Sequence, residues 1–290
     1  MRVGVAMTAL VRFASCVLLV GCGSTEGPLL HARDGATPVD DGGAALDADS
    51  AALPGAVPPP PFPADVTFQY QLTDDIDPEL DAQLYVIDLF NAPQAVIDRL
   101  HAQGKIAVAY ISAGTLEDYR TDFRQFPAAA VGRPLARYPN ESWLDVRDES
   151  VRTLMAARLD MARNKRFDGV VPTSLTAYQN DSGFDLTAAD QADYSAWLSQ
   201  QAHARGMHVA MSGDFGQLGV LITHFDWAVD FGCIESATCD RLAPFLAAGK
   251  PVLDVETEGE ITTICQRAAS YGINAILKRD GFGSDRLGCP

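Results

Sequence analysis

The sequence predicts an α/β protein, a (β/α)8 barrel over residues 64–290. Three observations carry this. Eight short apolar stretches alternate with amphipathic ones. Most are β-branched and lack strict polar alternation, as strands covered on both faces do. Their span fits the ~250 residues usual for such a barrel. A doubly wound α/β sheet is the alternative, because periodicity does not show closure. No Gly-x-Gly-x-x-Gly follows a strand, which weighs against its nucleotide-binding form.

The elements follow in order. "TFQY" (67–70) and "LYVID" (84–88) are the first two strands. "PQAVIDRLHAQG" is a helix that stops on Gly104. "IAVAYIS" (106–112) is the third strand. "ESVRTLMAARLDMARNK" sets Val151, Leu154, Met155, Arg158, Leu159 and Ala162 at helical spacing. "DGVVP" (168–172) follows. "TAADQADYSAWLSQQAHARG" opens on a Thr187 cap and ends on Gly206. "HVAMS" (208–212), "WAVD" (227–230), "VLDVE" (252–256) and "NAILK" (274–278) complete the set.

Upstream of the barrel the pattern changes. Arg2 and Arg12 precede "FASCVLLVGC", an apolar run shorter than the about 20 residues that span a bilayer. A basic start, a short apolar run and small residues at its end form a secretory signal over 1–22. Leu19-Val20-Gly21-Cys22 resembles a bacterial lipobox, whose cysteine becomes the lipidated first residue. Residues 23–63 are rich in Gly, Ala, Asp and Pro, cannot bury enough surface to offset their ordering entropy, and read as a disordered linker. The expected location is the cell envelope, outer membrane or surface, with the bacterial membrane reached through the lipid on Cys22; plain secretion is the alternative.

Four cysteines lie in the exported part: Cys233, Cys239, Cys265 and Cys289. An oxidising compartment favours two disulfides, with three pairings open. Cys233–Cys239, closing a short loop, and Cys265–Cys289, pinning the tail, are preferred. A zinc site is the rival, but no Cys-x-x-Cys occurs. The net charge of −16 repels phosphate backbones, so nucleic acid is excluded as a partner. It suits solubility, or a cationic substrate. No two histidines share a face, and neither a metal nor another cofactor is expected.

The motif order then becomes informative. "FQYQLTDDID", "YVIDLFNAP", "VAYISAGTLEDYRTDFRQFP", "WLDVRDESVRTLMAARLD", "FDGVVPTSLTAYQNDSGFDLTAADQADYSAWLSQQAHARGMHVAM" and "CIESATCDRLAPFLAAGKPVLDVETE" occur in sequence. Together they resemble glycoside hydrolase family 114 over nearly all of residues 68–258. The resemblance implies a (β/α)8 barrel, endo-alpha-1,4-polygalactosaminidase activity and a partly cationic galactosamine-containing polysaccharide as substrate.

The departures from the family pattern fall at strand ends, where barrels keep their chemistry. The family usually reads Asp-Gly-Val-Glu-Pro-Asp-Asn-x-Asp; here those polar positions are Val171, Thr173, Ser174 and Thr176. The usual Tyr-Asp-x-Asp becomes Tyr85-Val86-Ile87-Asp88, a Lys-Asn pair becomes Ser212-Gly213, and Asn-Glu-Gln-Cys becomes Asp230-Phe231-Gly232-Cys233. Thr257 replaces the tyrosine after Glu256. A glycosidase normally needs two carboxyl groups across the scissile bond. Thr173 and Phe231 stand where that pair would be assigned. A threonine hydroxyl is too weak an acid, and general acid–base help is worth about 10²–10⁴-fold.

Surviving acids remain candidates. Glu256 is the leading catalytic acid, with Asp88, Asp230 and Asp214 as possible partners. Tyr110, Ser112, Trp143, Thr173, Ser174 and Asp214 are candidate sugar contacts. Each has a plainer alternative: a rim hydrogen bond for Asp88, core packing for Trp143, loop packing for Tyr110 and Ser112. Glu117 and Arg120 have the spacing of a helical ion pair, and Asp168 fixes the rim. Three functions compete. A monomeric barrel that binds an amino-sugar polysaccharide with weak or no hydrolysis comes first. An active hydrolase using the surviving carboxylates is second, and a structural surface lipoprotein third.

Overall fold

The computed structural model describes residues 62–289. The expected signal at 1–22, the lipidated Cys22 and all of the linker up to residue 61 lie outside the described residues. The chain is already packed at Phe62, whose ring stacks on Trp227 at 4.6 Å, ahead of the expected start at 64.

Eight parallel strands form the body: β1 (Phe68–Gln71), β2 (Leu84–Asp88), β3 (Ile106–Ser112), β7 (Gly169–Thr173), β8 (His208–Ser212), β9 (Trp227–Phe231), β10 (Val252–Glu256) and β11 (Asn274–Leu277). Each pairs with the next in chain order, with no reversal. A doubly wound sheet needs a switch point where the order turns back, so that alternative fails. Side chains alternate across each strand. One set, including Phe68, Tyr70, Leu84, Val86, Val108, Val171, Ala210, Val229, Leu253, Val255 and Ile276, forms a single inner cluster with Trp227. A cluster drawn from all eight strands requires the sheet to curl on itself. The opposite set joins the helices in a second, outer cluster.

The barrel's seam, between β11 and β1, is filled by the C-terminal segment. β12 (Leu287–Gly288) pairs antiparallel with β11. On the other side Arg286 Nε donates to Phe68 O at 2.6 Å, and Leu72 N donates to Phe282 O at 2.7 Å. The Cys265–Cys289 disulfide ties this segment to α6 (Ile261–Tyr271).

Three of the outer helices lie where the sequence places them. α1 (Gln94–Ala102) runs out before Gly104. α2 (Glu149–Asn164) is capped by Asp148, whose side chain accepts from Ser150 N. α3 (Ala188–Ala204) opens on a reciprocal Thr187–Asp190 capping box. α4 (Leu218–Leu221) and α5 (Ala243–Ala247) are single turns. Arg158, on the apolar stripe of α2, is buried yet satisfied: it pairs with Asp122 at 2.8 Å and donates to Ser112 O at 2.9 Å.

One layer was not expected. β4 (Thr115–Glu117), β6 (Glu141–Leu144) and β5 (Val131–Pro134) make a small antiparallel sheet in the loop after β3. Glu117 lies opposite Glu141 in it. The "LEDYR" stretch is therefore strand and turn: the Glu117–Arg120 ion pair forms as expected, but not on a helix.

Candidate functional site

Strands of a barrel present their C-terminal ends on one rim, and residues of inward parity there face the mouth. Continuing the inner set upward gives Tyr70, Asp88, Tyr110, Ser112, Thr173, Ser212 and Phe231. Four aromatic rings dominate this mouth. Tyr70 meets Tyr110 at 6.4 Å, Phe231 at 5.3 Å and Phe282 at 5.5 Å, and Phe231 meets Phe282 at 5.7 Å. Most of these contacts are edge-to-face, the arrangement ring quadrupoles favour. Phe231 keeps 40% of its surface exposed. Tyr110 Oη lies 3.3 Å from Ser112 Oγ, and Thr173 Oγ1 donates to Ile111 O at 3.2 Å. Val171 is fully buried below them.

Next to Thr173, Ser174 adopts a left-handed backbone, φ 62°. Its carbonyl oxygen would lie 1.9 Å from a Cβ on Gly114, so only glycine lets the loops after β3 and β7 approach so closely. The Ser174 side chain is half-buried.

The surviving carboxylates are mostly committed. Asp88 accepts both forks of Arg120, at 2.9 and 2.6 Å, and also the amides of Phe90 and Asn91. Arg120 is shared with Glu117 at 2.6 Å, and Tyr119 Oη donates to Glu117 at 2.5 Å. Asp230 is held by Arg241 through contacts of 2.7, 2.9 and 3.2 Å. Glu256 has outward parity, since Leu253 and Val255 occupy the inner cluster. It sits under the loop after β9 and accepts from Ile234 N at 2.7 Å and Glu235 N at 3.3 Å. Its outward neighbour Asp254 accepts from Cys233 N at 3.2 Å. Burial first, and then the Glu256 carboxyl beside it, push Asp254 up to about 9. Glu256 thus props the disulfide loop and does not face the mouth.

That loop is closed by Cys233–Cys239, the preferred pairing. The two sulfurs and Asp254 lie within 4.8 Å of one another. Joined as a disulfide, the sulfurs offer no thiolate to zinc. Trp143 is 7% exposed in β6 and packs into the outer cluster, which leaves no open face for a sugar.

Asp214 is placed differently. It lies on the wall of a cleft of about 440 Å³ between the loops after β8 and β9, with Gln179, Phe215, Asp230, Phe231 and Arg241. Its carboxylate accepts from Tyr178 Oη at 2.8 Å, Gln179 Nε2 at 3.2 Å and Gln217 Nε2 at 2.7 Å. Burial raises its pKa, opposed by the bonds from Tyr178 and Gln217. Glu141 is also raised: burial and the nearby Glu117 charge lift it, while Thr115 Oγ1 donates to it at 3.1 Å. The structure therefore brings Asp214 and Asp230 to one cleft, and keeps Asp88 and Glu256 in other settings.

Sequence reasoning missed Arg241, Glu141 and Asp254. A signal existed for Arg241: it follows Cys239 closely, and a loop closed at Cys233 must return the chain to the end of β9. Chemically, the mouth offers hydroxyls and ring faces to a sugar, with an apolar ring and a threonine where paired acids would act.

An eight-stranded parallel barrel with polar side chains gathered on its C-terminal rim is the scaffold of the barrel enzymes, glycoside hydrolases among them. Within that class the chain belongs to glycoside-hydrolase family GH114, whose profile matches residues 48–289. It is 30% identical to Ega3 of Aspergillus fumigatus, whose crystal structure is a complex with galactosamine; the match covers 78% of this chain and 96% of that one, at a TM-score of 0.73. The glycoside hydrolase domain of PelA from Pseudomonas aeruginosa shares the fold at 14% identity, with 77% and 97% coverage and a TM-score of 0.61. No curated protein sequence matches the chain.

Proposed function

We propose that the chain is an exported, lipid-anchored member of this family that binds a galactosamine-type amino-sugar polymer and hydrolyses it weakly or not at all. The anchor rests on Leu19–Cys22 of the sequence. Support for the ligand is the relative that holds galactosamine. Support for lost hydrolysis is one observation: Phe231 and Thr173 occupy the mouth where the resemblance puts the acid pair, and Phe231 is locked among Tyr70 and Phe282. Asp88 and Asp230 are each engaged by an arginine, and Glu256 by backbone amides. Binding and chemistry rest on different groups, so affinity survives the loss.

The test is incubation of the full chain with partly deacetylated galactosamine polymer, following binding and reducing-end release together. Binding without release is expected. The Thr173→Asp, Phe231→Glu double variant is expected to gain release, and either change alone to gain little, because acid and partner act as a unit. Release by the unmodified chain that Glu256→Gln abolishes would overturn the reading.

A further inference from the structure

We propose that the cleft between the loops after β8 and β9 is a subsite for a single protonated amino sugar, with Asp214 anchoring its ammonium and so selecting deacetylated residues. This rests on the amino-sugar reading above, and adds to it the residue that sets specificity. The cleft, about 440 Å³, falls within the roughly 300–1,000 Å³ of small-molecule sites.

The backbone places Asp214 deliberately. Gly213 (φ 80°) and Asp214 (φ 53°) are both left-handed, a conformation costly for a non-glycine residue. Three side chains, Tyr178, Gln179 and Gln217, then fix the carboxylate. All three are neutral donors, and no ion pair to Asp214 occurs among the described residues. A carboxylate only 7% exposed and lacking a countercharge is disfavoured in its ionised form. An incoming ammonium supplies that countercharge and forms a charge-assisted hydrogen bond.

The rest of the cleft fits a sugar. Asp230 does not compete for the cation, because Arg241 already neutralises it. Arg241 uses Nε and Nη2 in that pair, and its Nη1 makes none of those bonds, so it remains a donor for hydroxyls. Its guanidinium covers the Phe215 ring at 5.1 Å, whereas Phe231 keeps exposed ring surface for the sugar's C–H face. An N-acetyl group replaces the ammonium by a neutral amide and adds bulk, losing the ionic bond.

The experiment compares galactosamine oligosaccharides with their fully N-acetylated counterparts, on the full chain and on Asp214→Asn. Asparagine keeps the shape and an acceptor for Tyr178. The unmodified chain is expected to prefer the free amine. In the variant, affinity for the free amine should fall about tenfold or more, with the acetylated ligand unchanged. Equal free-amine affinity in both proteins overturns the subsite while leaving the amino-sugar reading intact; no binding of either ligand to the unmodified chain overturns both. Should the variant misfold, a crystal of the unmodified chain soaked with galactosamine decides. A sugar nitrogen within about 3 Å of the Asp214 carboxylate supports the assignment, and a sugar bound only elsewhere overturns it.

Discussion

Asp88 and Glu117 are two buried acids that share one guanidinium, that of Arg120. Removing one partner of a buried ion pair strands the other in low dielectric, and here it strands two. Arg120→Leu is therefore expected to destabilise the fold by about 3–5 kcal/mol, read as a shift in urea midpoint. Arg120→Lys should recover only part of this, because an ammonium cannot fork onto both acids. A midpoint unchanged in Arg120→Leu would mean that water already screens the cluster. Asp254 gives a second residue-scale test, with a definite sign. Its pKa is raised in the folded chain to about 9, against about 3.9 unfolded. Between those values the folded chain holds the extra proton, so stability declines as pH rises through that window. Asp254→Asn mimics the protonated form. Its advantage over the unmodified chain should grow from pH 5 towards pH 9, measured by urea unfolding at each pH. The Glu117–Arg120 pair was legible from its spacing, but Asp88 lies far from Arg120 in the chain, and only the fold joins them.

At the scale of elements the sequence was most informative where burial is most uniform. β2, β3, β8 and β10 lie at the predicted residues, because a strand covered on both faces must be apolar throughout. β9 and β11 differ by one residue at their C-terminal ends, and β1 and β7 are each shifted one residue along the chain. The β4–β6–β5 sheet gave no such signal. "VGRP" and "ESWL" are short and half-polar, and their pairing is fixed by neighbours across a loop. β12 is two residues long and is defined by the seam it fills. The disulfides then separate two roles. Loop-closure entropy grows with the enclosed length. Cys265–Cys289, at separation 24, should stabilise by about 3.5 kcal/mol and Cys233–Cys239, at separation 6, by about 2.4 kcal/mol. Paired Cys→Ser variants should show that order in melting temperature. The reverse order would mean that the short loop's contacts with Glu256 and Asp254 depend on its disulfide.

At the scale of the whole molecule, charge and site make separable contributions to recognition. The chain carries a net charge of −16, from 38 acidic and 22 basic residues. Such a field draws in a cationic polymer from a distance and mainly sets the association rate. Salt screens it: the Debye length falls from about 10 Å at 0.1 M to about 3 Å at 1 M. Asp214, recessed in its cleft, acts at contact and governs dissociation. On a surface bearing deacetylated galactosamine polymer, raising salt from about 0.05 to about 0.5 M should therefore slow association markedly and change dissociation less. Asp214→Asn should do the opposite, removing one charge from the field yet hastening dissociation. The two effects should also combine nearly additively, since a screened long-range field and a recessed hydrogen-bonded contact share no partner. An association rate indifferent to salt would remove the acidic surface from recognition. It would leave the cleft and the aromatic mouth as the whole of the binding surface.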